Sequence, residues 1–152
     1  MNVIYMDNNA TTQVAGEVLE AMLPYFCDYY GNPSSMHSFG GQVEKEIKKA
    51  RERVASLLGA LPEEIIFTSC GTESDNTAIR GVLESSKRRK VITSRVEHPA
   101  VLGCCRELER HGISVVETGV DKNGNIDPEE IADAIDENTA LVSVMWANNE
   151  TG

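Results

Sequence analysis

From residue 62 onward the chain alternates short β-prone runs with helical stretches, and that alternation constrains the fold more than any other feature. The runs are IIF (65–67), VIT (91–93), SVV (114–116) and LVSVM (141–145), with helical stretches at about 72–85, 99–111 and 128–136. A βαβαβαβ order predicts a largely parallel sheet covered by helices, because parallel neighbours need a crossover long enough to hold a helix. Gly112 is placed to close one helix, and DKNGN at 121–125 reads as a turn from its Asn-Gly step. The first sixty residues have another pattern. After the polar loop DNNATT, the apolar positions Val18, Met22, Tyr25 and Tyr29 recur at helical spacing, with Pro24 set to kink that helix. GNPSS at 31–35 is a loop by its breaker content. Val43, Ile47, Ala50, Val54 and Leu57 then form the apolar stripe of a long amphipathic helix that Gly59 is placed to end.

Composition narrows the function classes. With 41% apolar, 25% charged and 5% aromatic residues, the 152-residue chain is that of an ordinary globular domain and not of a disordered or collagen-like one. Such a length buries about 70% of the surface exposed on unfolding, enough for one core without disulfide or metal staples. Fourteen Lys and Arg against twenty-four Asp and Glu give a net charge of −10, which repels a phosphate backbone and argues against a nucleic-acid partner. No apolar run is long enough to span a membrane, and MNVIYMDNNATT lacks both the basic start and the hydrophobic core of a signal peptide, so the expected location is the cytoplasm. Cys27, Cys70, Cys104 and Cys105 have no CxxC spacing, and His37, His98 and His111 form no HxxxH or HExxH group; neither a metal site nor a disulfide framework is expected. All four cysteines read as small buried hydrophobes. The basic run KRRK (87–90) reads as a solvated helix end that suits the helix dipole.

Ligands of open α/β sheets gather at the carboxyl ends of the strands, so the loops there are the places to look. TSCGTESDN follows IIF and offers Ser69, Gly71, Thr72 and Ser74 at a helix start, an anion cradle in composition but neither a Walker loop nor GxGxxG. Helix capping explains the same residues equally well. SRVEHPAV follows VIT and puts His98 just before Pro99, where it can act as a base, a ligand or a flat ring for stacking, or can be structural. WANNETG follows LVSVM and brings Asn148 and Asn149 to the same edge, either as ligands or as turn residues.

YMDNNATT (5–12), YGNPSSMHSFG (30–40), FTSCGTESDN (67–76), VEHPAVL (96–102) and VMWANNETG (144–152) together resemble the cysteine desulfurase family, in its NifS/IscS-like group and in the family's own order. The resemblance implies an α/β fold: a partial fold-type I pyridoxal phosphate-dependent transferase large domain at 61–152, mostly parallel sheet with flanking helices, after an N-terminal arm and helices at 1–60. It implies pyridoxal 5′-phosphate as cofactor, a homodimer, and conversion of L-cysteine to L-alanine with the sulfur held as an enzyme persulfide for an iron–sulfur scaffold or other acceptor. By position, Gly71 and Thr72 match cofactor-phosphate residues, and His98 matches the catalytic histidine that stacks on the cofactor ring. Asn149 matches an asparagine that contacts cofactor or substrate, and Ala10, Thr11 and Thr12 match a loop on the substrate side. Family chains continue past this length with the Schiff-base lysine in an SGHK-type segment, the partners of the cofactor ring and the sulfur-accepting cysteine. None of Lys45, Lys48, Lys49, Lys87, Lys90 or Lys122 lies in such a segment, so these 152 residues alone are expected to be inactive. The alternatives are another fold-type I enzyme such as a selenocysteine lyase, or a truncated module that binds without catalysis.

Overall fold

Pro24 interrupts the first helical stretch, as a residue without an N–H must. In the computed structural model, which describes residues 3–151, α1 (Gly16–Met22) stops, Leu23 intervenes, and α2 (Pro24–Cys27) restarts with the proline in its first turn. The amphipathic stripe becomes α3 (Ser38–Leu58), whose start is capped by His37 Nδ1 accepting from the Gly40 N–H at 3.1 Å. A side chain at Gly40 would collide with the Asn32 carbonyl, which explains a glycine where the GNPSS loop folds over the helix. Gly59 ends α3 in the left-handed conformation (φ 68°), a position that suits a residue without Cβ.

The chain divides into two compact units, 1–67 and 68–152. The first holds α1 to α3 and a short 3-10 turn at Pro62–Glu64. The IIF run belongs to this unit and is not a strand. Residues 65–67 have no regular secondary structure, although Ile65 is extended, and the Ile65 carbonyl accepts from the Arg51 guanidinium, which also lies 4.9 Å from the Phe67 ring centre. Cation and carbonyl tie the run to α3, and β-propensity without a ladder partner makes no sheet.

The second unit carries the α/β alternation. It contains α4 (Gly71–Ser85), β1 (Lys90–Ser94), α5 (Pro99–Arg110), β2 (Ser114–Thr118), α6 (Pro128–Ala134) and β3 (Thr139–Ser143). The strands form one parallel sheet in the order β2-β1-β3, with β1 in the centre and Val91 opposite Val115 and Leu141. A register shift beside Lys90/Val91 leaves Ala140 as an extra residue on β3. Val101, Cys104, Cys105 and Leu108 recur at i, i+3, i+4 and i+7 on α5 and pack with Ile79 and Leu83 of α4 and with Val91. Cys104 and Cys105, adjacent in sequence, are both buried, because two residues about 100° apart still fit one broad apolar face. Gly112 (φ 84°) turns the chain after α5, and Gly124 (φ 85°) does so inside DKNGN, where Asp121 Oδ1 accepts from the N–H groups of Asn123 and Asn125 at 2.8 and 2.9 Å.

Candidate functional site

The first turn of α4 is built by its own polar residues. The Glu73 carboxylate reaches back to accept from the Ser69 N–H at 2.6 Å and the Ser69 hydroxyl at 2.7 Å, and those two bonds hold its acidity below the usual carboxylate range. Ser74 Oγ lies 2.6 Å from Thr68 Oγ1 and donates to the Cys70 carbonyl at 3.3 Å. Of the four cradle residues, Ser69 and Ser74 are therefore engaged within the loop. Gly71 and Thr72 remain as the exposed first-turn positions, with N–H groups that have no carbonyl partner inside the helix. A Cβ at Gly71 would meet nothing within 4 Å, so neither backbone conformation nor packing inside this unit requires glycine there.

His98 is the N-cap of α5, with Pro99 in the first turn. Its Nδ1 accepts from the Ala100 N–H at 3.1 Å, which assigns the proton of the neutral ring to Nε2 and leaves that N–H on the exposed side. The two helix starts are joined: Asn76 Nδ2 donates to the Thr72 carbonyl at 2.8 Å and to the Ala100 carbonyl at 3.4 Å.

The loop after β3 is joined to the loop after β1. Asn148 Nδ2 donates to the Val96 carbonyl at 3.0 Å, while its Oδ1 accepts from the N–H groups of Glu150 and Thr151 at 2.8 and 3.1 Å. Asn148 thereby shapes its own turn and ties it across the sheet. Asn149, next to it, is exposed, and its amide donates to Glu150 Oε1 at 3.0 Å. One residue here escaped the sequence reading. Glu97 is 6% exposed, and its Oε1 accepts from Ser94 Oγ and from the Met145 N–H, both at 2.8 Å. An acidic residue between an apolar strand and a helix-capping histidine is the signal that could have marked it. Gly71, Thr72, His98 and Asn149 thus sit on segments linked by side-chain hydrogen bonds at one edge of the sheet. Ala10 and Thr11 lie in the N-terminal unit, where their N–H groups turn back onto the Asp7 carbonyl at 3.1 and 3.4 Å; Thr12 follows in the same unit. Gly152, the last residue of WANNETG, lies outside the described residues.

Residues 4–152 match the family model described as aminotransferase class-V. The chain belongs to that family. It is 57% identical over its whole length to a cysteine desulfurase of Trichormus azollae, of which it spans 38%. Among solved structures, a NifS-like protein superposes with a TM-score of 0.91 at 44% identity, over 96% of this chain and 41% of that one. SspA, solved in complex with cysteine, gives a TM-score of 0.88 at 40% identity, over 96% of this chain and 43% of its own. The parallel sheet with its flanking helices is accordingly part of a fold-type I domain.

In this class-V segment the cysteines fall into two kinds. Cys104 and Cys105 are buried, and burial raises both thiols, Cys105 to about 11. Cys27 and Cys70 are exposed, which corrects the expectation that all four fill the interior. Cys70 stands before the first turn of α4, where few side chains can cover it. The Glu73 backbone N–H, then the Ser69 hydroxyl, draw its thiol below the usual range, although no cap hydrogen bond of ordinary geometry forms.

The basic run is structural. Arg89 donates to the carbonyls of Leu83 and Ser86 at 3.1 and 3.0 Å at the end of α4, and Arg88 donates to the Thr139 carbonyl at 3.1 Å. Lys90 pairs with Asp136 at 2.9 Å and also caps the Ala134 carbonyl at the end of α6. Cations at helix carboxyl ends satisfy orphan carbonyls and suit the dipole. Among the described residues, no three His, Cys, Asp or Glu side chains gather to hold a metal ion, and no helix is long and apolar enough to cross a membrane.

Proposed function

We propose that this chain supplies the phosphate-binding and ring-facing part of a pyridoxal phosphate-dependent cysteine desulfurase that converts L-cysteine to L-alanine and holds the sulfur as a persulfide. The single observation that carries the reading is the joining of the α4 start to the His98 loop through Asn76 and Ala100, at the sheet edge that also bears Asn149. The whole-length match to proteins named cysteine desulfurase supports the chemistry, and the SspA complex with cysteine supports the substrate.

The donor set suits the cofactor's phosphate. Gly71 and Thr72 offer first-turn N–H groups and a hydroxyl at the positive end of a fifteen-residue helix, and the open space over Gly71 leaves room for the anion. Bound there, pyridoxal 5′-phosphate supplies an electron sink for charge that develops at the substrate α-carbon. His98 presents its ring face for stacking and its outward Nε2–H as a hydrogen-bond donor toward the reacting group, while Nδ1 stays fixed by the Ala100 N–H. Asn149 contributes an amide to cofactor or substrate, and Thr11 and Thr12 contribute the substrate-side loop on the family resemblance. A homodimer, delivery of sulfur to an iron–sulfur scaffold or other acceptor, and a cytoplasmic setting complete the proposal. The free thiols of all four cysteines are consistent with a reducing compartment.

The test uses the full-length protein that carries this segment. With pyridoxal phosphate, L-cysteine and a thiol reductant it is expected to form alanine and sulfide in equal amounts, and no turnover above free cofactor would overturn the reading. Thr72→Val keeps the shape and deletes one hydroxyl, so cofactor affinity is expected to fall by about 1.5–3 kcal/mol, the range for a hydrogen bond to a charged group.

A further inference from the structure

Glu97 has no part in binding as described above, yet it is a buried carboxylate at the mouth of the site. It sits one residue before the helix-capping His98, and a single oxygen, Oε1, accepts both from Ser94 Oγ at the end of β1 and from the Met145 N–H after β3. Those two donors are separated in sequence by some fifty residues and belong to different strand ends. The Met145 N–H lies beyond the last residue of β3, where the ladder to β1 has already ended at Thr93 and Ser143. Without Glu97 that N–H would lose its partner. Asn148 spans the same gap from the other side, donating to the Val96 carbonyl immediately before Glu97. The strand ladder thus ends, and two side-chain links take over its task through the loops that carry His98 and Asn149.

We propose that Glu97 is a positioning residue: its buried carboxylate, with Asn148 as the second link, locks the His98 loop to the Asn149 loop so that ring and amide meet the cofactor as one rigid platform. This rests on the functional reading above. A link of this kind acts on orientation and not on binding, because the side chains that touch the ligand are all still present when it is cut. Misplacement by about 1 Å costs on the order of 100-fold in rate, so kcat is the quantity that senses it. The acceptor role needs an oxygen and not a charge. Gln at 97 can still accept both donors, whereas Ala can accept neither.

The experiment compares Glu97→Ala, Glu97→Gln and Asn148→Asp in the full-length holoenzyme, with kcat expressed per cofactor-loaded site. Asn148→Asp keeps the acceptor for Glu150 and Thr151 but replaces the donor to Val96 with a repelling oxygen, so it cuts the second link without unmaking the turn. Glu97→Ala is expected to lower kcat by about 10- to 100-fold with KM for L-cysteine nearly unchanged, and to alter the visible circular dichroism of the bound cofactor. Glu97→Gln restores most of both, and Asn148→Asp shifts both in the direction of Glu97→Ala. A readout independent of turnover is amide hydrogen exchange at Met145 in the cofactor-free protein, slow in the parent and Gln forms and fast in the Ala form. Unchanged kcat per loaded site with unchanged dichroism in Glu97→Ala, or equal loss in Glu97→Gln and Glu97→Ala, would overturn the proposal. If Glu97→Ala does not fold, the Asn148→Asp dichroism decides in the same way. A parent that leaves L-cysteine untouched would sink the functional reading, while the Met145 exchange would still test the link by itself.

Discussion

At the scale of the residue, the two pairs of cysteines differ in surroundings far more than in sequence. Cys70 is exposed beside the Glu73 N–H and the Ser69 hydroxyl, which favour its thiolate, whereas burial in α5 disfavours that of Cys105 up to about 11. A lowered pKa means more thiolate at a given pH, and the thiolate is the nucleophile. Iodoacetamide near neutral pH is therefore expected to label Cys70 in the cofactor-free protein well before Cys105, with the Cys70 rate levelling off at a lower pH than that of a free cysteine. Peptide mass mapping over time checks this, and equal rates for the two would contradict the placement. The sequence showed that both pairs avoid metal spacing, but not which is exposed. That depends on Cys105 falling on the stripe shared with Val101 and Leu108, while Cys70 precedes its helix and has no stripe to join.

At the scale of the element, helix ends do much of the work. Lys90, at the start of β1, closes the end of α6 through the Ala134 carbonyl and pairs with Asp136, whose pKa is lowered chiefly by that same hydrogen bond from Lys90. A carboxylate with a depressed folded pKa contributes stability that is present above its unfolded pKa and is lost as pH falls through the folded value. Lys90→Met is thus expected to destabilise the protein by about 1–3 kcal/mol near neutral pH, because a helix-end carbonyl loses its donor. The gap between variant and parent should narrow on acidification below the ordinary aspartate range. Denaturant unfolding at several pH values checks both parts. Element order was legible in the sequence because period and breakers are local: α3, α4, α5, β1 and β2 fall where their patterns place them, while β3 (Thr139–Ser143) begins and ends two residues earlier than the LVSVM run and leaves Val144 and Met145 to the loop. The IIF run was misjudged because a strand is defined by its partner, and here the Ile65 carbonyl answers to Arg51. The turn role of Asn148 was legible because its partners Glu150 and Thr151 are local, whereas the Glu97–Met145 and Asn148–Val96 links were opaque, since those partners lie some fifty residues away and only the folded sheet brings them near.

At the scale of the whole molecule, the proposed function would have this segment supply the cradle of the site but not all of its chemistry. The chain spans 38% of the length of the cysteine desulfurase it matches at 57% identity. No lysine in it lies in an SGHK-like sequence, and Lys90 is committed to Asp136 at the opposite end of β1 from His98. Large apolar side chains stand open to solvent, among them Trp146 (102%), Ile66 (71%) and Phe26 (68%), and β2 and β3 are both edge strands of the three-stranded sheet. Exposed apolar area and unpaired strand edges favour association of any chain that presents them. Residues 1–152 produced by themselves are therefore expected to associate as concentration rises, and to bind pyridoxal phosphate reversibly through Gly71 and Thr72. They should form no alanine or sulfide from L-cysteine beyond a free-cofactor control, because a cradle that orients the phosphate supplies neither a covalent anchor nor a persulfide-forming thiol. Sedimentation over a concentration series, phosphate-competed cofactor binding and a coupled alanine assay measure the three separately. Turnover above the control would mean that a lysine and a cysteine of this segment suffice, with Cys70, exposed beside Gly71, the first thiol to replace by serine.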